Sequence, residues 1–295
     1  MNDRKTTISL LLVLVSLVWA GSFIAVKVTV DEIPPIHLGF LRFLVATPIM
    51  VILLFLLKKD RCIPIKKELP SLIVLGLTGV ALLYLFQFIG IEYTTASTSS
   101  VLISTNVVFI VLLSTVFLKE VFTFKKTFGV ILSFVGVAAV IFAQSNNETV
   151  SFNNQFIIGC VLILLSAFCW ALYSVVGKRL LAKYDPFTVT TYAFVLGTVF
   201  FLPFVFLDMV SVIQGVSFDG WMAVLYLAVF CSVFGYVAWY YALSKVDAGK
   251  AAVFLNFIPL FTIMLSLLLI NEVPNLVFFG GAMLIIFGVY LAQRG

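Results

Sequence analysis

The chain has 295 residues, of which 63% are hydrophobic and only 11% charged, where a soluble domain carries about 45–50% and about 25%. A water-soluble fold of this length could not hide that much apolar surface, so lipid must be the solvent for most of the chain. The net charge of +5 reflects 18 basic against 13 acidic residues, and the placement of those charges matters more than their sum.

Apolar runs long enough to cross a bilayer core about 30 Å thick, which takes about 20 helical residues, recur along the chain. The first is Thr6–Val26, followed by Ile33–Leu57, which is interrupted only by Arg42. Leu69–Ile91, Tyr93–Leu118 and Thr127–Asn147 come next. Thr149–Gly177 opens with a polar loop, and Pro186–Leu207, Gly220–Ser244, Ala251–Asn271 and Val273–Gln293 complete the series. The first run follows Arg4 and Lys5 like a signal peptide, but outlasts the usual apolar stretch of about 7–15 residues and reads as a retained helix. Barrel strands would alternate apolar and polar residues over about ten positions, whereas these runs are apolar throughout. The expected fold is an all-α membrane protein of ten transmembrane helices.

Loop charge sets the orientation. With a cytoplasmic N-terminus, 16 of the 18 basic residues fall on the cytoplasmic side, Lys27 falls outside and Arg42 lies within a span. Both termini are therefore expected in the cytoplasm of a plasma (inner) membrane protein. The basic loops then need no nucleic-acid partner. The four cysteines, Cys62, Cys160, Cys169 and Cys231, form no CxxC pair, and His37 is the one histidine. No disulfide framework, metal centre or cofactor is indicated.

The two halves align almost without gaps. Trp19, Lys27 and Pro35 match Trp170, Lys178 and Pro186 at an offset of 151. Ala96, Glu120, Gly129 and Gly136 match Ala248, Glu272, Gly281 and Gly288 at 152. Residues 1–146 and 156–295 thus read as two five-helix repeats joined by an extracytoplasmic loop at 147–155. Five crossings are an odd number, so the second copy enters the membrane inverted. Inverted repeats are a recurring plan of secondary transporters, with the solute site near the midplane between them.

Several stretches carry a family resemblance: Val18–Phe23 with Lys27, Pro34–Pro35 leading to Leu41–Phe43, Leu118–Glu120 with Gly129 and Gly136, and Asn256, Pro259, Ile270–Glu272, Gly281 and Gly288 in the second half. In order and spacing the chain resembles the EamA-type members of the drug/metabolite transporter superfamily. The resemblance implies export or uptake of small metabolites such as amino acids. It also implies a central cavity lined by helices 1, 3, 4, 6, 8 and 9, with helices 5 and 10 packed away from it. One departure is Val107 in helix 4 where helix 9 has Pro259, which predicts a less kinked helix 4.

Polar and amphipathic residues inside the spans are the candidate site. Arg42, costly in a span, reads as an anchor for a substrate carboxylate or as a structural arginine on backbone carbonyls. Trp19 and Ser22 share a face of helix 1, and Trp170, Tyr173 and Ser174 repeat the pattern on helix 6. Tyr84 and Gln87 on helix 3 and Trp239 and Tyr240 on helix 8 read as lining or packing. Asn106 on helix 4 and Asn256 beside Pro259 on helix 9 read as site residues at a helix break or as polar glue. Lys27, Glu120, Lys178 and Glu272 end helices and suggest turn-capping or gate contacts. The small-residue stripes at Gly129, Ser133 and Gly136 and at Gly281 and Gly288 read as packing or dimer faces, leaving monomer and homodimer both open.

No HExxH, GxSxG, Walker motif or intramembrane carboxylate pair is present, so the chain does not read as an enzyme or an ATP-driven pump. No Asp or Glu lies in the middle third of a span, which weakens the case for proton coupling. The leading reading is a secondary carrier of amino-acid-like metabolites, running toward efflux by alternating access. An exporter of cationic or aromatic drugs and a non-transporting membrane sensor are the alternatives.

Overall fold

The computed structural model describes residues 2–57, 65–118, 123–143, 154–246 and 251–294. Among the described residues the protein is helical and has no strand, as a bilayer demands of a chain whose backbone groups must bond within their own segment. Eight helices among the described residues are long and apolar enough to cross a membrane. They are Asn2–Thr29 (α1), Pro35–Leu57 (α2), Lys66–Tyr93 (α3), Ala96–Phe117 (α4), Phe124–Ala143 (α5), Asn154–Leu181 (α6), Pro186–Val205 (α7) and Phe218–Lys245 (α8).

The ninth and tenth apolar runs form the helices Phe254–Leu269 (α9) and Leu276–Arg294 (α10). Val253–Asn256 winds as a 3₁₀ turn at the start of α9. Asn275 caps the start of α10, its side chain accepting from the Phe278 N–H at 2.9 Å. Other starts are equally local. Asp185 caps α7 by accepting from Phe187 and Thr188, with Pro186 in the first turn. Thr95 caps α4 and Ser217 caps α8.

Two features depart from regular α-helix inside the bundle. α3 widens to a π-helix at Leu77–Ala81 and α8 does so at Tyr226–Phe234, and such bulges are frequent at functional sites. α4 is interrupted at Ser104–Thr105, where two hydroxyls bond the main chain. Ser104 Oγ donates to the Ser100 carbonyl at 3.2 Å and Thr105 Oγ1 to Leu102 at 2.8 Å, competing with the main-chain ladder. Pro259 in α9 sits in the first turn after the 3₁₀ segment, where the lost N–H costs least.

Residues 151 or 152 positions apart meet along the centre of the bundle. The Trp19 and Trp170 rings pack edge to face at 5.2 Å, and Phe43 and Phe194 do so at 5.0 Å. The Thr47 and Thr198 hydroxyls are 2.8 Å apart, and those of Tyr84 and Tyr236 2.9 Å. α5 and α10 pack against each other through their small residues. A methyl group on Gly136 would meet the Gly281 carbonyl at 2.7 Å, and one on Gly288 would meet Ser133 Oγ at 2.5 Å. The glycine stripes are thus consumed within one chain by close backbone approach. The outer surface presents Leu56, Phe124, Leu207 and Leu276, apolar side chains suited to lipid.

Candidate functional site

A small cleft, with about 50 Å³ of space open to water-sized groups, lies among α1, α2, α3, α4, α6 and α9. Seven residues singled out from the sequence line it: Trp19, Ser22, Arg42, Tyr84, Gln87, Asn106 and Trp170. Sequence reading missed the apolar part of the wall, Phe23, Leu83, Ile103, Leu255 and Ile258. Nothing distinguishes those five from the apolar residues around them, although Ile103 and Leu255 are repeat equivalents.

The π segments supply the site's fixed points. Widening a helix leaves main-chain carbonyls free of their usual N–H partners, and side chains take them here. Trp19 Nε1 donates to the Cys231 carbonyl in the α8 bulge at 2.9 Å. Tyr236 donates its hydroxyl to the Gly79 carbonyl in the α3 bulge at 2.6 Å. Ser232 Oγ donates back to the Leu227 carbonyl at 3.0 Å and accepts from Arg42 Nε at 2.5 Å.

Arg42 is 1% exposed. Its guanidinium carbon stands 4.1 Å from the centre of the Tyr84 ring and 5.5 Å from that of Phe43, a cation–π arrangement. Nη2 is buried with no hydrogen-bond partner, and among the described residues no carboxylate lies within ion-pair distance. Two more cleft residues are in the same condition: Trp170 Nε1, a donor, and Asn106 Oδ1, an acceptor. Buried polar atoms are nearly always bonded. Three of them around one cleft therefore suit a polar ligand or water.

The remaining sequence candidates lie elsewhere. Tyr173, Ser174, Trp239 and Tyr240 are fully buried in an aromatic cluster beside the cleft. Tyr173 and Tyr240 stack at 4.8 Å and 8°, and Tyr240 donates its hydroxyl to the Tyr173 carbonyl at 3.2 Å. Trp239 packs against Trp19 and Trp170 at 6.0 and 5.8 Å. The cluster is close-packed because glycine faces it. A methyl on Gly79 would lie 2.1 Å from Tyr173, and one on Gly177 equally near Tyr240. Tyr173 OH, Ser174 Oγ and Trp239 Nε1 nonetheless have no partner. Asn256 ends the 3₁₀ turn of α9, half-buried, with Oδ1 unpartnered.

At two lining positions the first half carries a smaller residue than its repeat equivalent. Ser22 corresponds to Tyr173 and Gln87 to Trp239. Where the second half fills space with a phenol and an indole, the first half has a hydroxymethyl and an amide.

The helix-end charges grip turns. Lys27 Nζ donates to the carbonyls of Ile91, Glu92 and Thr94 at 3.2, 3.2 and 2.6 Å, satisfying the free acceptors at the end of α3. Lys178 does the same for Leu243 and Val246 at the end of α8. Glu272 accepts from the Ala96 and Ser97 N–H groups, both at 3.0 Å, and from Ser97 Oγ at 2.8 Å. Asn271, in the left-handed conformation at φ 53°, turns the chain after α9 so that Glu272 faces the start of α4. Glu120 lies outside the described residues.

Comparison with known proteins agrees with this architecture. The profile of the EamA-like transporter family matches residues 6–142 and 157–293. An uncharacterized transporter of Archaeoglobus fulgidus is 42% identical over 284 residues, covering 96% of each chain. A protein of Streptantibioticus cattleyicolor, named a probable terminal-alkyne amino-acid exporter, is 29% identical across 96% of this chain and 92% of its own. A solved crystal structure superposes with a TM-score of 0.70 at 17% identity, covering 97% of this chain and 96% of the other, a likeness of fold alone.

Proposed function

The chain belongs to the EamA-like transporter family and is a multi-pass membrane transporter, and from that premise we propose that it carries small metabolites, amino acids or related compounds, by alternating access. The proposed direction is efflux across the plasma membrane. The proposed topology is ten spans in two inverted five-helix repeats, with both termini cytoplasmic. The observation that carries the reading is a cleft beside the meeting line of the two halves, walled by buried polar atoms with no protein partner. A solute that docks there satisfies those atoms only while bound, which suits a carrier that must release its cargo.

The meeting of Trp19 with Trp170, Phe43 with Phe194 and Tyr84 with Tyr236 supports a repeat axis through the bundle, since a residue touches its own counterpart only near such an axis. The unpartnered Tyr173 OH, Ser174 Oγ and Trp239 Nε1 support alternating access. Each costs about 1–3 kcal/mol while dry, and each would regain water in a conformer that opens the second half. The S. cattleyicolor relative's name supports the substrate class.

The test is counterflow. Proteoliposomes preloaded with mixed unlabelled amino acids should accumulate a labelled neutral, aromatic or acidic one without ATP. Folded protein that accumulates none of the three would refute the amino-acid reading.

A further inference from the structure

We infer that the cleft is a carboxylate site first and an amino-acid site second: its ligand must bring an acid group, while an amino group is dispensable. This deepens the transport reading and rests on it.

The inference starts from charge. Arg42 is the one ionised side chain among the described residues lining the cleft, and none of them is acidic. A guanidinium has five N–H donors. Ser232 takes one and the Tyr84 ring covers one face, while Nη2 has no acceptor. A serine and a ring do not compensate a buried cation, which calls for an anion or a full set of acceptors. The protein supplies no such anion from its described residues, so the ligand is the natural source.

Polarity within the site follows. Trp170 Nε1 is a second unused donor on a residue of the same cleft, and a carboxylate is an acceptor suited to either donor. An ammonium group finds only neutral acceptors on the lining residues, such as the carbonyl of Asn106. A ligand that brings an ammonium without a carboxylate adds a second positive charge beside Arg42, which is repulsive at low dielectric. Phe23, Leu83 and Ile103 leave an apolar wall for an aliphatic or aromatic substituent. The substrate class is therefore monocarboxylates, amino acids and 2-oxo or 2-hydroxy acids alike, and it excludes amines and cationic drugs.

The experiment uses purified full-length protein in detergent and equilibrium binding of a matched panel. Hydrogen, methyl, isobutyl and benzyl side chains are each presented as amino acid, 2-oxo acid, amino-acid amide and amine. For at least one side chain, the amino acid and the oxo acid should bind within about 10-fold of each other, with amide and amine about 10- to 100-fold weaker, the scale of a charge-assisted hydrogen bond. Arg42→Gln should weaken both acids by a similar factor, and Asn106→Leu should narrow the gap between amino acid and oxo acid. An amide or amine that binds as tightly as its acid overturns the inference, as does a panel in which no acid binds. If Arg42→Gln fails to fold, the wild-type panel decides alone. Counterflow of amino acid and amide alike would leave transport standing and sink the acid requirement. Acid-selective binding with no counterflow would do the reverse.

Discussion

Removing the Glu272 side chain should test whether this residue is a helix cap or a gate charge. Its carboxylate accepts from two main-chain N–H groups at the first turn of α4 and from Ser97 Oγ. The hydroxyl has a second partner, Ser266 Oγ at 2.7 Å, so Glu272→Ala orphans the Ala96 and Ser97 N–H groups rather than all three donors. Both residues are buried, so water does not readily replace the lost acceptor. At about 1.5–3 kcal/mol for each hydrogen bond to a charged group, the loss is about 3–6 kcal/mol. With about 2–4 °C per kcal/mol for a large domain, the melting temperature in detergent should fall by about 6–24 °C. Glu272→Gln keeps one carbonyl oxygen and should lose about half as much. The assay is thermal unfolding of both variants beside the parent protein, with counterflow measured below the lower midpoint. An Ala variant that melts within about 2 °C of the parent, or a Gln variant as unstable as Ala, would refute the capping argument and point to charge.

Three further outcomes are expected. Ser22→Tyr and Gln87→Trp each place in the cleft the residue that fills the matching position of the second half, so counterflow should stop while the protein still elutes as folded; retained flux would show that the solute travels elsewhere. In a background without native cysteines, Ser22→Cys and Ser174→Cys should react with a small thiol reagent from opposite sides of the membrane, with conditions that favour one suppressing the other. Ser174→Cys remaining unreactive throughout would argue against an opening of the aromatic cluster. Gly136→Leu should separate α5 from α10, because even a methyl group meets backbone at 2.7 Å. The expected reading is a large drop in folded yield, and a parent-like melting curve would contradict the packing.

Much of the architecture was legible because lipid imposes its rule on each segment separately. A span must be apolar over about 20 residues and satisfy its own backbone. Ser22, Arg42, Gln87 and Asn106 were findable for the converse reason: a polar group in such a run needs a partner or a ligand. The 151-residue offset pairs Trp19 with Trp170 in the sequence itself.

Tertiary structure decided which way those residues point. A buried helix that is apolar all round has no facing signal in its periodicity. Nothing in the order of residues therefore separated Trp170, which lines the cleft, from Tyr173 and Trp239, which close the space beside it. The π segments of α3 and α8 and the break at Ser104–Thr105 were also hidden. Each is a local exchange of hydrogen bonds whose balance depends on what the neighbouring helix offers. Composition and spacing determined that this chain is a bundle of apolar helices with an internal repeat and a buried arginine. Only packing decided that the arginine faces a cleft whose described residues include no acid, because that depends on what every neighbouring helix leaves out.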